Sequence, residues 1–126
     1  MPTPEEQLAR RLSAIAGLDA AHGLQHLPGR GETYLRLLRN FAQTRAGDIE
    51  GMQAHLEAGD VAAFAAMVHN VKGVSGYLGA LTIASICQDI AVALRDGADQ
   101  STLASLAESL AAAQRELAAG VLALRD

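Results

Sequence analysis

Apolar residues recur along the chain at three- and four-residue intervals, the period of a helix that buries one face. Thr3-Pro4-Glu5-Glu6 reads as an N-cap, a proline in the first turn and a capping-box glutamate. Leu8, Leu12 and Ile15 follow at helical spacing up to Gly17, which predicts an N-terminal helix within residues 1–16. Leu18 to Gly31 carries Gly23, Pro28, Gly29 and Gly31 and reads as a loop. A second helix is expected from Glu32 to about Ala46, with Tyr34, Leu37, Leu38 and Phe41 on its apolar stripe, and Gly47 breaks it. Asp48 can cap a third helix carrying Ile49, Met52 and Leu56, closed by Gly59. Asp60 can cap a fourth. A fifth covers about Thr82 to Arg95, with Ile83, Ile86, Ile90 and Leu94 inward, and stops at Gly97. The last runs from about Ser101 to Leu122 on Leu103, Leu106, Leu110 and Leu117. Short links between amphipathic helices make neighbours antiparallel. The expectation is therefore a single all-α domain over residues 1–126. Its core is an antiparallel four-helix bundle over 32–122, with an additional helix at the N-terminus.

Composition supports helix and narrows function. Half of the 126 residues are hydrophobic, enough for a core, and Ala and Leu dominate long segments without β-branched runs. The net charge of -4 argues against nucleic acid as a partner, which needs a clustered basic face. Arg10, Arg11, Arg30, Arg36, Arg39 and Arg45 gather in the first half, but acids and apolar positions interleave them, as on solvated helix faces. One cysteine, Cys87, permits no internal disulfide and fits a reducing compartment. No segment approaches the roughly 20 apolar residues of a membrane span. The N-terminus lacks the basic-then-apolar order of a secretory signal. A soluble cytoplasmic protein is expected, with no membrane partner.

The fourth helix holds an unusual stretch, MVHNVKGVSGYLGA over residues 67–80. On a helical wheel Phe64, Met67, Val71, Val74 and Leu78 fall within roughly 40° of the direction opposite His69. They form the expected core stripe, and His69 points to solvent. Its neighbours on the same face, three, four and seven residues away, are Ala62, Ala65, Ala66, Lys72, Gly73 and Gly76. Apart from the lysine, all are alanine or glycine, where an ordinary solvent face carries long polar side chains. Each helical glycine costs roughly 1 kcal/mol relative to alanine. What Gly73 and Gly76 provide is room for another body to approach the imidazole. Lys72 places a compact ammonium where an anion attached to the ring would be held. The pattern points to an exposed, nucleophilic histidine.

From His69 to Ala80 the stretch resembles the signature of histidine-containing phosphotransfer (HPt) domains. That signature is His, any, apolar, Lys, Gly, any, small, two variable positions, apolar, Gly, Ala. Gly17-Leu18-Asp19, Gly23-Leu24, Tyr34, Leu37-Leu38 and Phe41 resemble the family's lead-in, and Leu56, Gly59 and Asp60 the segment before its histidine helix. The lead-in is closer to the hybrid sensor kinase type than to the chemotaxis kinase type.

The resemblance implies a phosphorelay intermediate in two-component signalling rather than an enzyme. His69 would accept a phosphoryl group from a receiver-domain aspartate, at Nε2, and pass it to an aspartate of another receiver. Lys72 would neutralise its charge. The docking patch would comprise Ala62, Ala65, Ala66, Gly73, Gly76 and Tyr77. The implied partners are response-regulator receiver domains and a hybrid histidine kinase. Mg²⁺ is expected in the receiver and no cofactor in this chain, which is expected to be monomeric. Relatives often carry a glutamine on the next helix; Gln88 and Gln43 match by type alone and are not assigned to the site. The alternative is a helical adaptor that binds receiver or kinase domains without phosphotransfer.

Other residues carry less. No glycine-rich nucleotide loop is present, so no ATP site is expected. His22 and His26, four apart, fall short of a metal site's three or four ligands. His55 reads as a surface histidine and Cys87 as a buried core thiol.

Overall fold

The computed structural model describes residues 1–124. Six helices follow one another: α1 (Pro4–Leu12), α2 (Ala20–Leu24), α3 (Gly31–Glu57), α4 (Val61–Leu78), α5 (Leu81–Arg95) and α6 (Gln100–Leu122). The described residues contain no strand. α3 packs on α4 and α6, α4 on α5, and α5 on α6, so the four long helices close a ring around one core. The links of two to four residues reverse the chain between them, giving the antiparallel four-helix bundle.

Capping explains most boundaries. The Thr3 hydroxyl accepts a hydrogen bond from Glu6 N at 3.1 Å. Asp19, Asp60 and Asp99 do the same for His22, Ala63 and Thr102. α1 ends at Leu12 rather than near residue 16; Ile15 lies beyond it in a turn and is buried all the same.

Two expectations fail. Residues 18–31 are not all loop, because α2 forms within them on the Asp19 cap. Gly47 does not break the chain: α3 is one helix of 27 residues. Tyr34, Leu38, Phe41, Ala42, Ile49, Met52 and Leu56 are buried along it at three-, four- and seven-residue steps, so the stripe carries through the glycine. Burying one such aliphatic side chain is worth about 1.5–3 kcal/mol, more than the roughly 1 kcal/mol that a helical glycine costs. Asp48 pairs with Arg45 one turn back instead of capping a new helix. One helix gained and one lost leave the histidine helix fourth.

Smaller differences follow from wheel positions. Leu37 is on the rim at 37 % exposure, and Leu106, Ile86 and Leu94 are only partly covered. Among the described residues, Ser75 and Gln114 are the buried polar ones. The Ser75 hydroxyl donates to Val71 O at 2.6 Å, and the Gln114 amide reaches Phe41 O across the α3–α6 seam at 3.4 Å.

The start of α3 and the segment before α2 are both bonded to the C-terminal end of α4. The Tyr34 hydroxyl donates to Leu78 O at 2.6 Å and Asp19 N to Gly79 O at 2.7 Å. Thr82 N donates to Gly17 O at 3.3 Å. Backbones approach so closely that a Cβ on Gly23 would meet Leu78 O at 2.3 Å.

Candidate functional site

Asp60 starts α4 and Gly79 ends it. Gly79 adopts φ +82°, and the following Ala80 N donates back to Ser75 O at 2.8 Å. That left-handed turn closes helices cleanly and favours glycine. The buried face is Phe64, Val68, Val71, Ser75 and Leu78. Met67 and Val74, expected in the stripe, are half-buried at its flank, while Val68 and Ser75 go deeper. The core direction is thus rotated slightly from the one the apolar residues alone suggest, because small Ser75 satisfies its hydroxyl on its own helix.

The opposite face is low. His69, Ala62, Ala66 and Gly73 are exposed, and Ala65, Lys72 and Gly76 are half-buried. Around Gly73 and Gly76 nothing lies within 4 Å of where a Cβ would stand. The imidazole therefore stands above a surface that a second body can approach.

Lys72 is on the same face three residues on, and its ammonium donates to the Gln88 carbonyl oxygen on α5. Gln88 was not among the assigned site residues. Lys72 and Gln88 each lie eight residues from Ala80, at matching heights of the α4–α5 hairpin. That symmetry is the signal by which sequence reasoning can find the glutamine. It is Gln88, not Gln43, that reaches Lys72.

Beneath this pair lies Cys87, fully buried. Burial pushes its thiol up to about 11, against the lowering influence of the Lys72 charge. A thiol so protonated is no nucleophile at neutral pH.

Tyr77 is 42 % exposed at the C-terminal end of the face. The His26 ring stacks on it, centroids 4.6 Å apart and 26° between planes. The His22 ring meets His26 edge-on at 5.6 Å. Among the described residues no three His, Cys, Asp or Glu side chains gather as for a metal ion. No described helix is long and apolar enough to cross a membrane.

The family model described as "Hpt domain" matches residues 36–126. No curated protein and no solved structure matches the chain.

Proposed function

Since the chain belongs to the Hpt domain family, modules of histidine phosphotransfer in two-component signalling, we propose that His69 is its phosphoryl-carrying residue and that it relays the group between receiver domains. The observation that carries this reading is the exposed His69 on a cleared helix face beside Lys72.

The reaction begins with a receiver aspartyl phosphate brought over the imidazole. The Nε2 lone pair attacks phosphorus, the bond from phosphorus to the aspartyl oxygen breaks, and the carboxylate leaves with the electron pair. A phosphoryl group passing between N and O spreads charge over its outer oxygens, so positioning and charge stabilisation dominate. The Lys72 ammonium supplies the positive charge, as a point donor. Gln88 holds that ammonium beside the face. Ala62, Ala65, Ala66, Gly73, Gly76 and Tyr77 form the docking patch. Mg²⁺ belongs to the receiver, and the chain acts as a cytoplasmic, monomeric phosphocarrier with no kinase site of its own. The reverse step onto a second receiver's aspartate completes the relay, with a hybrid histidine kinase as the upstream source.

A transfer time course tests the relay. A receiver charged with acetyl phosphate and Mg²⁺ loads the protein with an acid-labile, alkali-stable label. A second, uncharged receiver then removes it. An alkali-labile label, as on a carboxylate, contradicts the assignment.

A further inference from the structure

The ring ladder of His22, His26 and Tyr77 has no part in the transfer chemistry, yet through Tyr77 it joins the edge of the proposed docking patch and carries it on to His26 and His22. Its members do not fill the core: Tyr77 and His26 are exposed and His22 is half-buried. They are nonetheless held in a fixed arrangement, because α2 is bonded to the end of α4 and Gly23 leaves no gap between them. The family-model match starts at residue 36. The ladder therefore joins one residue of the matched region to two from the segment before it.

We propose that this ladder is the partner-selecting edge of the receiver-docking surface, an inference that rests on the phosphotransfer reading of His69. Tyr77 is eight residues beyond His69, about 12 Å along the helix axis. A partner that buries about 800 Å² of this protein covers a disc of roughly 16 Å radius. Even a weak contact of about 600 Å² reaches roughly 14 Å. A receiver centred on His69 thus extends over Tyr77 and meets the ladder at its rim. Between the two, Gly73 and Gly76 raise no obstacle. Stiff aromatic side chains lose little freedom on binding and are frequent anchors of interfaces. Ring faces stacked in this way offer a seat to an aliphatic or proline side chain. The receiver selected is one that presents such a side chain about 12 Å from its aspartate.

The test uses receiver domains encoded in the same genome, each charged with acetyl phosphate and Mg²⁺ and ranked by their transfer to the wild-type protein. Potassium phosphoramidate serves as a small donor that needs no docking; its N–P bond breaks, ammonia leaves and the imidazole takes the phosphoryl group. With the fastest receiver, His26→Ala lowers kcat/KM about tenfold, mainly through KM. His26→Phe, which keeps a stacking ring, restores most of it. Phosphoramidate loads wild type and both variants alike. Equal transfer to wild type and His26→Ala overturns the proposal, as does a His26→Phe variant no better than the alanine. Wild type loaded by phosphoramidate but by no receiver also overturns it, and leaves the carrier chemistry standing. Wild type loaded by neither donor overturns the reading of His69 itself.

Discussion

At the scale of single residues, the proposed site separates a nucleophile, a charge and the group that holds the charge. Lys72→Ala slows transfer by about a hundredfold, the lower end of what losing one preorganised charge-stabilising donor costs. Gln88→Ala slows it by roughly two- to tenfold, the worth of one hydrogen bond. Rapid-quench transfer from a single receiver measures both, and equal losses contradict the division of roles. His69 and Lys72 were legible in the sequence because three residues on one helix fix their relation. Gln88 becomes legible only once the α4–α5 turn is placed at Gly79 and Ala80, because its height is counted from that turn. Cys87 carries a pH signature. Its folded-state pKa of about 11 is raised above the unfolded value by burial, so the native state holds the proton more tightly. The stability this adds is complete below the unfolded pKa and is lost as pH rises toward 11. Urea midpoints measured from pH 8 to 11 decline more steeply for the wild type than for Cys87→Ala; parallel curves contradict the assignment.

At the scale of elements, glycine has three meanings in this chain. Gly79 ends a helix because its φ is positive, an end that the sequence reading left unplaced. Gly47 was read as a helix end and is helical, with open space around it. Nothing local distinguishes the two; the buried stripe continuing through Ile49 decides. Gly73 and Gly76 lie in mid-helix like Gly47, but on the His69 face. Gly47→Ala and Gly76→Ala therefore each stabilise the fold by about 0.5–1 kcal/mol. Gly76→Gln keeps the helix and blocks receiver docking. Thermal melts beside transfer assays test this, and a Gly76→Gln protein with unchanged transfer contradicts the cleared-face argument. The five-residue α2 was missed because it is too short for a periodic stripe, and only its Asp19 cap announces it.

At the scale of the whole molecule, the bundle holds one helix rigid and leaves one of its faces bare. α3 clamps the end of that helix through Tyr34, whose phenol is kept protonated well beyond its ordinary range by burial and by the nearby Asp19 charge. Tyr34→Phe leaves Leu78 O without this partner and destabilises the protein by about 1–3 kcal/mol, read from urea unfolding; no change in midpoint contradicts the clamp. The all-α bundle was legible because caps and stripes are local. The clamp was not, since it joins residues 44 positions apart. The central claim is that this scaffold presents His69 to carry a phosphoryl group. Intact mass at neutral pH tests it most directly, after incubation with a receiver charged by acetyl phosphate and Mg²⁺. The wild-type protein gains one phosphoryl group and His69→Gln, folded to the same helicity, gains none; an equal gain in the variant contradicts the account.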